Sequence, residues 1–270
     1  MRMVYGTSRA RGIDTSTPSI ARMHDFLLGG IENYESDRAA CTELLRVAPG
    51  IRESARDSRA FLERTVRYLA TERRVRQFLD LGSGLPTRCN VHQIAQHAHS
   101  SSRVVYVDQD PIVLAHGRTT LEENANTAVV EADLADVEAV FADADVRRLI
   151  KPDEPTAVLL VSVLHCLRDE TVPAAVVSRI AGRLAPGSFL VMCQLVSDRP
   201  QVRRDVTQVM NRVTGGRWGC VRSKSEVAGY FAGLNVIGAG LVEVADWNSQ
   251  AQQLPGRSTR LQEWGGVAQL

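Results

Sequence analysis

The chain has no Cys-x-x-Cys pair, no long hydrophobic run, few aromatic residues and almost no net charge. Each shortage excludes something. Five cysteines (Cys41, Cys89, Cys166, Cys193, Cys220) are odd in number and far apart. That argues against a disulfide framework and a metal cluster, and for a reducing, cytoplasmic setting. The longest apolar stretch, Ala157–Val161 continuing to Leu167 through Ser162 and His165, is too short to span a bilayer, so no membrane partner is expected. Arg2, Arg9 and Arg11 have no apolar segment behind them, so no secretory signal is read. The 32 basic residues nearly cancel 31 acidic ones, and aromatics make up 5%. A chain built to wrap nucleic acid or coat an anionic surface would be more basic. At 270 residues, with 44% apolar and 23% charged, the length suffices for a real core: one large domain, or a domain with an appendage.

What is present is organised. Residues 1–17 lack periodicity and read as a loose tail. Thr17-Pro-Ser19 opens a helix carrying Ile20, Met23, Phe26 and Leu27 at helical spacing, broken by Gly29-Gly30. Further helices are predicted near 36–47 and 51–72, the last with Phe61, Leu62, Thr65, Val66, Tyr68 and Leu69 on one face and arginines on the other. Residues 18–75 therefore read as a helical cap. From 76 to 270 the pattern changes. Strands are predicted at 77–81, 104–108, 127–131, 156–164 and 189–193, with helices near 91–99, 111–124, 137–149 and 172–184. Apolar strands alternating with helices imply a parallel sheet covered on both faces. A helix near 226–234 and weaker strands near 235–244 and 264–268 complete the chain.

The turn Asp80-Leu-Gly-Ser-Gly-Leu-Pro86 leaves the first strand. Gly82 and Gly84 permit tight turning and close approach to a ligand. Thr87 stands where a dinucleotide fingerprint needs a third glycine, and no Gly-Lys-Ser/Thr follows, so neither that fingerprint nor a P-loop is present. Asp80 would repel a pyrophosphate and suits a cation, such as an amino group. Asp108 ends the second strand, where an acid can accept from both ribose hydroxyls. Asp133 follows the third, where a carboxylate can accept from an adenine amino group. Ser162 and His165 mark the exit of the fourth. All fall at the carboxyl edge of a parallel sheet, where such sheets bind ligands, and together they read as a nucleoside site.

From Arg76 to Ala268 this series resembles the class I S-adenosylmethionine-dependent methyltransferases. More closely, the chain resembles the S-adenosyl methyltransferase family of unknown function. The resemblance rests on Ile20-Ala-Arg-Met-His-Asp-Phe-Leu-Leu-Gly-Gly30, Asn33, Asp37-Arg38, Gln77 to Thr87, Asn90-Val-His92, Val104 to Pro111, Leu184-Ala-Pro-Gly187 and Trp264-Gly-Gly-Val-Ala268. It departs from the family pattern at His24, Ile31 and the closing Gln269-Leu270. The resemblance implies an α/β fold, a doubly wound, mostly parallel seven-stranded sheet in the order 3-2-1-4-5-7-6 with strand 7 antiparallel, behind an N-terminal helical cap. It implies S-adenosylmethionine as cofactor and S-adenosylhomocysteine as product. Gly82, Ser83 and Gly84 would pack against the methionyl part and Asp80 would hold its amino group. Asp108 and Gln109 would take the ribose, Asp133 and Leu134 the adenine, and Ser162 would lie beneath the sulfonium.

Methyl transfer from a sulfonium is an in-line displacement, so the protein chiefly aligns the acceptor. His165 is the candidate catalytic base, weighed against a packing role. His92, His97 and His99 have no accompanying carboxylate cluster and are read as non-ligands, so no metal is expected. Met23, His24, Asn33 and Tyr34 flank the Gly29-Gly30 break and are candidate lid residues on the substrate side. Three functions are open: a methyltransferase of small molecules, one of protein or nucleic acid, and a nonenzymatic S-adenosylmethionine-binding regulator. The cap favours an unidentified small-molecule acceptor. No Asn-Pro-Pro-Tyr-like loop follows the fourth strand, so no nucleic-acid partner is expected. The oligomeric state is not readable. Arg199–Lys224 holds seven bases and one acid, which suggests an anionic acceptor entering past Arg203, Arg204, Arg217 and Trp218. The rival is a solvated helix face.

Overall fold

The computed structural model describes residues 14–168, 173–249 and 260–270. Of the expected tail, 1–13 lie outside them, as does the expected helix start at Val172. Three helices come first: α1 (Ile20–Leu28), α2 (Glu35–Val47) and α3 (Ile51–Thr71). Gly29 ends α1 in the left-handed conformation at φ 86°, which a side chain resists. Seven strands follow: β1 (Gln77–Leu81), β2 (Arg103–Asp108), β3 (Thr127–Glu131), β4 (Thr156–Val161), β5 (Phe189–Val196), β6 (Asn235–Glu243) and β7 (Gln262–Gln269). They form one sheet in the order β3-β2-β1-β4-β5-β7-β6. The first five are parallel, and β7 runs antiparallel to both β5 and β6.

Between the strands run α4 (Val91–Ala98), α5 (Pro111–Thr120), α6 (Val137–Ala142), α7 (Ala144–Leu149), α8 (Pro173–Ala181), α9 (Pro200–Val213) and α10 (Lys224–Ala228). Strand alternation sorts the core into two layers. Leu79, Val105, Val158 and Leu190 meet Val140, Val146, Val176 and Ile180 from α6, α7 and α8. Phe78, Val104, Ala157 and Phe189 face the other way, onto Phe61, Val66 and Leu69 of α3 and Ile94 of α4. Asp80 alternates with Leu79 and Leu81, which pack in the first layer, so it falls on the α3 side.

A third cluster joins the cap to the sheet's edge. Met23, Leu27, Cys41, Leu44, Ile51 and Ala55 pack with Leu195, Val206, Met210, Trp218 and Leu261. The first turns of α3 thus belong to the cap and its later turns to the sheet. This strut holds the helical layer over the carboxyl ends of the strands.

Two expected elements are interrupted. The fourth strand stops at Val161 rather than 164, because Ser162 adopts φ 59° and a left-handed residue cannot continue a strand. Leu164–Cys166 then form a short 3-10 turn that carries His165. The helix expected over 137–149 is split at Asp143, whose carboxylate caps α7 by accepting from the N–H groups of Asp145 and Val146.

Candidate active site

The strand ends, the cap and α9 enclose a cavity of about 750 Å³. β1 leaves the sheet at Gly82, whose φ of 72° and closeness to Val163 exclude a side chain: an added Cβ would lie 2.3 Å from the valine Cγ2. Gly84, also left-handed at φ 66°, has open space where a Cβ would sit, leaving its backbone accessible to a ligand. The turn is held from the next strand, since Asp108 Oδ2 accepts from the Gly84 N–H at 2.9 Å. Asp108 Oδ1 accepts from Gln109 N–H at 2.8 Å and Asp110 N–H at 3.0 Å. Three of a carboxylate's roughly four acceptor positions are therefore used within the protein. Asp133 Oδ1 accepts from Ala135 N–H at 2.9 Å.

Of the residues singled out in the sequence, Asp80, Gly82, Ser83, Gly84, Asp108, Gln109, Asp133, Leu134, Ser162, His165, Met23 and His24 all line this one cavity. Asn33 and Tyr34 do not border it. Asn33 Nδ2 donates to Asp25 Oδ2 at 2.8 Å and to the Gly30 carbonyl at 3.0 Å, closing the corner after α1. A Cβ on Gly30 would lie 1.9 Å from the Asp25 carboxylate, which explains the glycine pair. Tyr34 lies under the Arg22 guanidinium, 5.1 Å from ring centroid to Cζ.

Of Arg203, Arg204, Arg217 and Trp218, expected to meet the acceptor, only Arg217 and Trp218 reach the cavity wall. Arg203 donates to the Ser197 carbonyl, Arg204 to Gln201, and Arg212 pairs with Glu43. Arg217 itself donates to the carbonyls of Thr214 and, across to the cap, Pro18.

Two residues of the wall carried no sequence signal that drew attention. Arg59 of α3 lines the cavity although the arginines of that helix were expected in water. It lies four residues after Ala55 and three before Leu62, hence on the buried face, and that spacing could have found it. Glu263, near the start of β7, lines the cavity at 3% exposure. An acid directly before the Trp264-Gly-Gly-Val-Ala268 strand was the available clue.

Electrostatics set this pocket apart. Burial pushes the Asp80 carboxyl up to about 7, with Arg59 opposing and Asp108 adding to the shift. Burial also pushes Glu263 up to about 7, against hydrogen bonds from Ser162 and Cys193, and raises Asp108. Such carboxyls are stabilised as anions by an incoming cation. Ser83 Oγ, Thr87 Oγ1, His24 Nε2 and Glu263 Oε2 are buried without a hydrogen-bond partner, and all four residues line the cavity. Buried polar atoms of this kind call for a ligand. A ligand with an ammonium for Asp80 and hydrogen-bonding groups for the hydroxyls would supply what they lack.

His165 is placed otherwise. Its Nδ1 accepts the Leu195 N–H at 3.1 Å, which assigns the ring proton to Nε2. Burial, with Arg222 and His24 nearby, lowers its pKa to about 3. A ring in this tautomer donates from Nε2 and has no free lone pair, unlike a histidine held as a base through its Nδ1–H.

A seven-stranded sheet of this order, with its antiparallel seventh strand and a glycine turn at the carboxyl edge, is the class I S-adenosylmethionine-dependent methyltransferase fold. The chain belongs to the S-adenosyl methyltransferase family, matched over residues 6–270. It is similar to a crystallised candidate methyltransferase from Thermobifida fusca YX, with 36% identity, TM-score 0.86, and coverage of 98% of this chain and 99% of that one. It is also similar to a DUF574 family protein from Streptomyces avermitilis MA-4680, with 31% identity, TM-score 0.86, and coverage of 95% and 98%. Among curated proteins none matches the chain. Among the described residues no helix is long and apolar enough to cross a membrane.

Proposed function

We propose that the protein transfers the methyl group of S-adenosylmethionine to a small molecule held beneath the helical cap. One observation carries this reading: a single cavity joins a polar edge of strand ends to an apolar chamber walled by Met23, Leu27, Leu44, Leu195, Met210 and Trp218. The roof leaves room for a compact acceptor rather than a polymer strand. When bound, the cofactor supplies an electrophilic methyl on a positively charged sulfur. The protein's share is alignment and exclusion of water. Asp80 would hold the ammonium, Ser83 and Gly84 the methionyl carboxylate end, and Asp133 with Leu134 the adenine. Asp108, with one acceptor position to spare, would take one ribose hydroxyl rather than both. His165 would position rather than deprotonate.

Incubating the protein with S-adenosylmethionine and a small-molecule cell extract should release S-adenosylhomocysteine and yield a product heavier by about 14 Da, one methyl for one hydrogen. If release does not exceed that of an Asp108→Ala control, the nonenzymatic binder replaces this reading.

The raised carboxyls give a second expectation. Below about 7 Asp80 is substantially protonated in the free protein, and a ligand ammonium stabilises only its ionised form. Affinity for S-adenosylhomocysteine should therefore rise with pH up to about 7 and then level off, with protons released on binding. Calorimetry at pH 6.5 in two buffers of different ionisation enthalpy measures the release. Asp80→Asn should abolish most of it; release unchanged in that variant would mean that Asp80 does not meet the ligand.

A further inference from the structure

The acceptor end of the cavity contains one acid that none of the cofactor contacts uses. Glu263 pairs in register with Leu195 of β5, beside the tip of β4. Its Oε1 accepts the Ser162 hydroxyl hydrogen, and its Oε2 is buried with no partner. Cys193 Sγ hydrogen-bonds to the same carboxyl, and Asp57 of α3 and the Cys166 thiol are the other titratable groups close to it. Among the described residues, none of these neighbours is a cation. The chamber beyond is apolar, and Arg217, the one member of the basic segment with a charge on the wall, spends its donors on backbone carbonyls. His165 offers only an N–H.

We propose that Glu263 Oε2 receives a hydrogen bond from a hydroxyl or amine on an uncharged, apolar methyl acceptor and takes its proton during transfer. The inference rests on the methyltransferase reading above. In the step, the acceptor's oxygen or nitrogen forms a bond to the methyl carbon while the carbon–sulfur bond breaks. The electron pair of that bond stays on sulfur, neutralising the sulfonium, and the acceptor's proton passes to Glu263 Oε2. Ser162 fixes the carboxyl by occupying Oε1, so Oε2 is the free acceptor. Its burial makes it a stronger base than an exposed carboxylate. An anionic acceptor would instead meet the like charge of Glu263.

The test uses the full chain saturated with S-adenosylhomocysteine and four probes on one apolar frame: 2-naphthol, 2-naphthylamine, naphthalene and 2-naphthoate. Calorimetry should show the naphthol or the naphthylamine binding at least about tenfold more tightly than naphthalene, the scale of one hydrogen bond to a charged group. Naphthoate should bind weakest. Glu263→Gln keeps the bond from Ser162 but turns an amide N–H toward the donor, and should erase the preference. Naphthoate binding best, no binding by any probe, or a preference that survives Glu263→Gln would overturn the proposal. The ranking on the unaltered protein stands even if the variant does not fold. A separate comparison asks whether the carboxylate serves the sulfonium instead. The ratio of S-adenosylmethionine to S-adenosylhomocysteine affinity should stay within about threefold in Glu263→Gln; a tenfold loss confined to S-adenosylmethionine refutes the acceptor role. If the parent protein binds neither compound, the methyltransferase reading itself fails.

Discussion

Replacing Asp37 with alanine is expected to destabilise the protein by about 3–5 kcal/mol, the cost of leaving a buried charge without its partner. Arg22 Nε lies 3.0 Å from Asp37 Oδ2, and the two side chains are 2% and 0% exposed. The same carboxylate accepts the Ser19 N–H at 2.9 Å, at the entry to α1, and the Tyr34 N–H at 2.8 Å, at the entry to α2. The remaining Arg22 donors go to the carbonyls of Asp14 and Thr17. Two helix starts thus hang from one acid, and its removal frees three donors at once, the Ser19 and Tyr34 N–H groups and Arg22 Nε. The expected fall in the thermal midpoint is on the order of 10 °C for a chain of this size.

The damage should reach the site. Ser19 Oγ donates to Asp110, the residue that caps α5 by accepting from Ile112 N–H at 2.8 Å. Loosening the start of α1 releases that tie and shifts Met23 and His24 on the cavity wall. Asp37→Ala should therefore weaken S-adenosylhomocysteine binding well below the unfolding temperature. Arg22→Met combined with Asp37→Leu should recover only the part lost to the unpaired charge, because the Ser19 and Tyr34 N–H groups still lack their acceptor. A midpoint for Asp37→Ala within a degree or two of the parent would show that the pair does not organise the cap.

The sheet was legible because its strands are buried on both faces, and continuous apolarity is what such strands require. β1 and β3 have the bounds expected from sequence. The same signal overran β4. Val163 and Leu164 are as buried as the strand before them, so apolarity reported burial there and not extension. Only the φ of Ser162 ends the strand, and no residue type announces a left-handed serine. The site was legible where it lies within one strand–loop–helix unit: Asp80, Gly84, Asp108 and Asp133 each lie at or just after the end of a strand. Arg59 and Glu263 come from α3 and β7, remote in sequence, and local pattern cannot pair them with the strand ends. The polar residues after α1 misled in the opposite sense. Asn33 and Tyr34 look available for a ligand, yet they close a helix corner and cover an ion pair. The basic segment is similar, since Arg203, Arg204, Arg212 and Arg217 are spent on carbonyls, a glutamate and a glutamine.

Asp108→Ala is expected to weaken S-adenosylhomocysteine binding by about tenfold to a hundredfold or more, from the loss of one or more hydrogen bonds to a charged group at about 1.5–3 kcal/mol each. Two effects combine. The direct one is the ribose hydroxyl that the carboxylate would accept. The indirect one is larger than the sequence suggested, because Asp108 also carries the Gly84, Gln109 and Asp110 N–H groups. Without them the glycine turn loses its tie to β2, and the backbone that faces the methionyl part is no longer fixed. Asp108→Asn separates the Gln109 and Asp110 contacts from the Gly84 and ribose contacts. Its amide oxygen can still accept from the Gln109 and Asp110 N–H groups, while its NH₂ opposes the Gly84 N–H. That variant should fold nearly as stably as the parent and still bind more weakly. Calorimetry with S-adenosylhomocysteine, beside thermal unfolding of each ligand-free protein, resolves the contributions. Asp108→Ala binding within about threefold of the parent, in a protein that unfolds cooperatively, would sink the ribose assignment; so would tighter binding of NAD than of S-adenosylhomocysteine by the parent.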